Sequence, residues 1–142
     1  RGGFGDTLEE QELGISKVLF FIERHWDNVV KFSRRSRNQL DRWAARYLSG
    51  TPEHPEDVLD YAKNDMRRYR CVNLRNYSTV EIRVFRGSLI YETFMATLQF
   101  ADLMYDIAEL PLDDVMDITW NDFKEMGSKY DEFTSYVERR GL

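Results

Sequence analysis

Ser78-Thr79-Val80-Glu81-Ile82-Arg83-Val84-Phe85-Arg86-Gly87 is the stretch on which the fold turns. Apolar and charged side chains alternate along it, which is the period of a strand. Val80, Ile82 and Val84 fall on one face, expected to pack on helices, and Glu81 and Arg83 on the other, next to Phe85. The run from Tyr69 to Leu74 alternates too, with Cys71, Asn73 and Arg75 on one face and Val72 and Leu74 on the other. The turn-rich Arg75-Asn76-Tyr77-Ser78 between them predicts a β-hairpin.

Outward from the hairpin the apolar spacing becomes helical. Thr7-Leu8-Glu9-Glu10 is a capping box, followed by Ile15, Val18, Leu19, Ile22, Trp26, Val29 and Val30 on one face, which predicts a helix running to about Ser33. Ser36-Arg37-Asn38-Gln39 opens a second helix with Leu40, Trp43, Ala44 and Tyr47 inward, stopped by Gly50. Pro55 suits the first turn of a short helix through Ala62. Beyond Gly87, the spacing of Phe94, Leu98, Ala101, Tyr105 and Ala108 predicts a long helix ending before Pro111. Thr119 caps a short helix with Phe123 and Met126, and Phe133, Tyr136 and Val137 mark a last helix reaching Arg139-Arg140. Tyr47, Tyr61 and the Phe/Met stripe after Tyr91 are read as core. The expected class is α+β, mostly helical with one antiparallel hairpin. Two strands rarely hold together alone, so the hairpin is expected to belong to a larger sheet.

The chain has 142 residues, enough for one domain with a real core, and 42% hydrophobic with 14% aromatic residues argues against disorder. No apolar run approaches the roughly 18 residues of a membrane span, and nothing near the N-terminus reads as a signal peptide. The single cysteine, Cys71, excludes an internal disulfide and a cysteine metal cluster, so a reducing cytoplasm is the expected compartment. The opening Arg1-Gly2-Gly3-Phe4-Gly5 reads as an interior cut through a longer polypeptide. Net charge is −5, yet residues 31–86 carry +6 and the remainder −11. The middle of the chain therefore suits an anion.

A carboxylate and a guanidinium two residues apart on one sheet face can bind a polar ligand together. Glutamate oxygen suits Mg²⁺ or Mn²⁺, and the arginine fork suits phosphate or carboxylate. The simpler reading is a same-face ion pair worth roughly 0–1 kcal/mol. Phe32-Ser33-Arg34-Arg35-Ser36-Arg37, at a helix junction, could contact phosphates or serve only as a solvated junction favouring the helix dipole. Arg67, Arg68 and Arg70 read as a solvated edge. His25 and His54 are too few and too far apart for a ligand pair, and His25 reads as a partly buried structural residue. Gly-x-Gly-x-x-Gly and P-loop patterns are missing.

Arg68-Tyr69-Arg70-Cys71-Val72-Asn73-Leu74-Arg75-Asn76 followed by Thr79 to Leu89 resembles the signature of the amidoligase family of bacteria and their phages. Phe4-Gly5-Asp6-Thr7, Phe32-Ser33-Arg34-Arg35, Arg42-Trp43-Ala44 and Phe94-Met95-Ala96-Thr97-Leu98-Gln99-Phe100 follow that family's order, so the resemblance covers nearly the whole chain. Gly87-Ser88 departs from the family's Gly-Thr but keeps a hydroxyl. The resemblance implies that residues 1–142 are the C-terminal part of one catalytic domain with the fold of glutamine synthetase and glutamate–cysteine ligase. It also implies an ATP-dependent carboxylate–amine ligase working through an acyl phosphate. Carried over, Glu81 would hold Mg²⁺ (or Mn²⁺) and Arg83 the transferred phosphoryl group, both being catalytic. Arg86, Arg34 and Arg35 would assist with nucleotide phosphates, and Asn73 and Arg75 with substrate. The implied partners are ATP, a carboxylate, an amine and an N-terminal half that would bring further metal ligands, so activity of this part alone is not expected.

Two rival classes remain open from the residues. A nucleic-acid-binding module would use the +6 middle with Tyr69, Tyr77 and Phe85, although Glu81 would then face a polyanion. A helical interaction module without catalysis would leave the metal site vestigial.

Overall fold

The computed structural model describes residues 2–142; Arg1, part of the opening stretch above, lies outside the described residues. The fold is mostly helical with a single two-stranded antiparallel sheet among the described residues. α1 (Leu8–Arg24) starts at the Thr7 box, where Glu10 N–H donates to Thr7 Oγ1 at 3.2 Å and Thr7 N–H to Glu10 Oε2 at 2.9 Å. From Gly14 to Glu23 it is buried on every side, so it is the central rod, and α4 (Pro55–Asn64) and α5 (Tyr91–Glu109) pack on it. Lys17 extends from it to the end of α5, donating to the carbonyls of Ala108 (2.9 Å) and Leu110 (2.6 Å), where a cation offsets the negative helix terminus.

The predicted helix to Ser33 is two helices. His25 leaves helical geometry, and α2 (Trp26–Ser33) begins after it. The imidazole is partly buried between Phe21 and Trp120, with Nε2 3.1 Å from the Ile118 carbonyl, and this anchoring fixes the break. Both helices line one core, so the apolar spacing runs across the break and hides it. α3 (Arg37–Trp43) follows the Ser36 box, and the chain then runs irregularly through Tyr47, which is buried, whereas Trp43 is 40% exposed instead of inward.

The strands are shorter than the alternation predicts. β1 (Val72–Asn73) pairs with β2 (Glu81–Ile82) in the register Val72↔Ile82 and Asn73↔Glu81, extended by Arg83 N–H to the Cys71 carbonyl at 2.8 Å. On the far side of β1 a parallel bridge joins Ala45 and Arg70. Side chains take over the backbone at both ends. Asn73 Oδ1 accepts from Arg75 N–H at 3.1 Å and Asn76 Oδ1 from Ser78 N–H at 2.9 Å, folding the loop into local turns instead of longer ladders. After Ile82, Arg86 N–H turns to the Ser33 carbonyl (3.0 Å), and Phe85 swings into the core against Phe32 and Phe100 instead of lying beside Glu81.

α5 buries Ala96, Phe100, Leu103, Met104, Ile107 and Ala108; of the predicted stripe Ala108 is buried and Ala101 half-buried, but Phe94, Leu98 and Tyr105 are each nearly half exposed. Two apolar stripes on this helix have 3/4 spacing, and the sequence does not say which one meets the core. Tyr61, read as core, is also exposed. α6 (Leu112–Asp117), which the spacing did not predict, leads to α7 (Trp120–Met126), capped reciprocally by Thr119 and Asp122, and to α8 (Asp131–Arg140). Phe32, Phe100, Phe123, Phe133 and Tyr136 interlock where α2, α5, α7 and α8 meet. No helix among the described residues is long and apolar enough to cross a membrane.

Candidate functional site

The hairpin register places Asn73 opposite Glu81, and the side chains meet. Asn73 Nδ2 donates to Glu81 Oε2 at 2.8 Å, while Arg83 Nη1 donates to Glu81 Oε1 at 3.0 Å. Glu81 and Arg83 thus share a face, as the alternation predicts; the Glu81 side chain is 50% exposed and that of Arg83 21%, so the acid is open to solvent and the guanidinium partly covered. The Asn73 amide, ahead of the Arg83 charge, holds the Glu81 carboxyl below the usual carboxylate range, against a smaller desolvation effect. Asn73→Ala is therefore expected to raise the Glu81 pKa toward its ordinary value, and Arg83→Met, which removes both a charge and a hydrogen bond, to raise it too. A ¹³C titration of the Glu81 carboxyl checks this, and an unchanged pKa in Asn73→Ala would show that the amide does not set the proton affinity.

The α2–α3 junction supplies more arginines. Arg34 is left-handed (φ 64°), an uncommon conformation for a side-chain-bearing residue, and it lets the chain turn back toward the hairpin. Its guanidinium donates to the Arg86 carbonyl, and Arg35 donates to the Phe85 carbonyl through Nε (3.2 Å) and Nη2 (3.0 Å). Arg35 therefore lies close to Arg83: burial first, and the Arg83 charge second, push its pKa below the ordinary guanidinium value. The Nε atoms of Arg34 and Arg83 are shielded from water without a hydrogen-bond partner among the described residues. Like charges held this close make a surface that gains by taking up an anion, which the shielded Nε atoms themselves do not reach.

Arg86 is exposed, with its backbone tied to Ser33. Arg75 forms no hydrogen bond or ion pair with Glu81 or Arg83 among the described residues, and it lines a separate cleft beside Tyr77. Arg70, read as a solvated edge, is instead 4% exposed: its guanidinium pairs with Asp65, donates to the Arg46 carbonyl and lies 5.0 Å from the Tyr47 ring. Tyr69, named only for the nucleic-acid reading, and Trp43, read as inward, join the site. The Arg83 guanidinium sits 5.3 Å from the Tyr69 ring, Tyr69 meets Trp43 edge-on at 5.2 Å, and Arg42 covers Trp43 at 4.9 Å. The bridge between Ala45 and Arg70 brings these rings together, a long-range pairing that no local spacing announces.

No family model, no curated protein and no solved structure matches this chain.

Among the described residues no three His, Cys, Asp or Glu side chains come together to hold a metal ion. Glu81 can offer one carboxylate, each oxygen keeping a free lone pair beside its bond to Asn73 or Arg83. That fits a Mg²⁺ ion taking the rest of its shell from phosphates and water, and it does not make a metal cage.

Proposed function

We propose that this chain is the phosphate-binding part of an ATP-dependent carboxylate–amine ligase, within a catalytic domain of the glutamine synthetase type. One observation carries the reading. Glu81 and Arg83 stand side by side on an open sheet face, with Asn73 orienting the acid and Arg35 adding a second guanidinium. The sequence resemblance over residues 68–89 points the same way.

In this reading Arg83 and Arg35 hold the phosphoryl oxygens. Their charge offsets what develops as the phosphoryl group passes to a carboxylate, and an amine then displaces it to give an amide. Catalysis is positioning and electrostatics, and it suits donors fixed before substrate arrives. A magnesium ion, when bound, would neutralise nucleotide phosphates with Glu81 as one ligand. Tyr69 and Trp43, each about 40% exposed and set edge to face, offer aromatic surface next to those arginines against which a purine can pack.

The cluster of Arg42, Trp43, Tyr69 and Arg83 favours a second reading, single-stranded nucleic acid, because bases stack on exposed aromatic rings beside arginines. Glu81 at its end repels a polyanion. Calorimetric titration with Mg²⁺ and a non-hydrolysable ATP analogue separates the two. Saturable binding is expected that Arg83→Met abolishes and Glu81→Gln makes independent of magnesium. No nucleotide binding, together with oligonucleotide binding that falls steeply with salt, would replace the ligase reading by the second.

A further inference from the structure

Asn73 also lines a cleft that Glu81 and Arg83 do not. Residues of α1, α4, the bend after α4 and the end of β1 enclose about 320 Å³, at the small end of ligand-site sizes. Its floor is apolar: Ile15, Leu59 and Ala62 are buried, and Leu74 is half-buried. The acids on its wall are already neutralised. Glu12 pairs with Lys63 at 2.6 Å, and Asp65 with Arg67 at 2.9 Å and with Arg70. Arg75 differs, since its guanidinium is in no ion pair or hydrogen bond among the described residues, so the lining carries an uncompensated positive charge. Beside it Tyr77 is 93% exposed, an aromatic residue at the edge of the cleft.

We infer that this cleft binds a small carboxylate with an aromatic or branched apolar body, with Arg75 gripping the carboxylate and Tyr77 covering the body. A neutral ligand leaves the Arg75 fork unpaired, and a cation meets it as a like charge. Only an anion with an apolar portion uses both the fork and the floor. As the seat of the acyl substrate, the cleft rests on the ligase reading, because Asn73 is its shared wall with Glu81; as a binding site it does not.

The test is titration of the full chain with 3-phenylpropionate and with neutral 3-phenylpropionamide, followed by methyl NMR and calorimetry. The acid is expected to bind saturably, with shifts centred on Leu59, Ala62, Met66 and Leu74. The amide should bind roughly tenfold more weakly or worse, as loss of a charge-assisted pair implies. Arg75→Met should lower the acid's affinity by a similar factor, and Lys129→Met, outside the cleft lining, should leave it unchanged. Equal binding of the amide, indifference to Arg75→Met, or no methyl shift at millimolar acid each overturns the inference. If the acid binds here and the nucleotide analogue does not, the ligase reading falls while the cleft stands; the reverse result removes the cleft alone.

Discussion

Glu23→Ala is expected to remove about 3–5 kcal/mol of folding stability, the cost of deleting one partner from a buried ion pair. The carboxylate is 1% exposed at the end of α1 and accepts Tyr47 N–H at 2.5 Å, Leu48 N–H at 3.4 Å and Arg46 Nε at 2.9 Å. It is what holds the irregular segment after α3 against the central helix. Without it the Tyr47 N–H is stranded in the interior and the partly exposed Arg46 loses its carboxylate. Most domains have only about 5–15 kcal/mol in total, so the variant should unfold at much lower urea or temperature. Glu23→Gln keeps the shape and one acceptor oxygen and should cost less. The two variants also differ in pH dependence. Burial, outweighing the hydrogen bonds and the Arg46 charge, pushes the Glu23 carboxyl above its ordinary value. The folded chain then holds that proton more tightly than the unfolded one. Its contribution is full below the unfolded pKa, about 4.5, and is lost as pH rises through the elevated folded value. Wild type should therefore lose stability relative to Glu23→Gln as pH rises above about 4.5. A gap that widens in favour of wild type would show that the donors around the carboxylate outweigh its desolvation.

Phe32→Ala is expected to cost about 3–5 kcal/mol, as large-to-small changes at packed aromatic positions do. Phe32 is 1% exposed and meets four rings: Phe100 and Tyr136 at 4.8 Å, Phe133 at 5.8 Å and Phe85 at 5.9 Å. It joins α2, α5 and α8 to the segment after β2, so the cavity opens behind Phe85, whose carbonyl anchors Arg35. Denaturant unfolding gives the magnitude, and near-ultraviolet circular dichroism reports the loosened rings. A loss below about 1.5 kcal/mol would mean that the neighbours collapse into the space and that the cluster is not a rigid support.

What could be read in advance follows from which forces are local. The caps at Thr7, Ser36 and Thr119 were legible because a cap is satisfied within four residues. The Glu81–Arg83 pairing was legible for a similar reason: alternation places i and i+2 on one face whatever the sheet around them. The exposed face of α5 was not, since Phe94, Leu98 and Tyr105 are as apolar and as well spaced as Phe100, Leu103 and Ile107. The break at His25 was hidden because its cause, the Ile118 carbonyl, lies 93 residues away. The same holds for Tyr69 and Trp43, which meet only through the bridge of Ala45 to Arg70. The contraction of the strands was partly legible, for Asn73 and Asn76 are residues that bend their own backbone. Arg70 misled because a run of arginines usually faces water, and the acid that draws this one inward, Asp65, precedes it by five residues off any helical face.

Cys71 is fully buried against Glu23, its Sγ 3.9 Å from Oε1, and burial together with that carboxylate raises its pKa well above the ordinary thiol value. As the sole thiol, it stays inert to a maleimide while the hairpin is seated. Labelling can proceed only when residues 69–73 lift away from α1, so its rate clocks the opening events of the strand that carries Asn73.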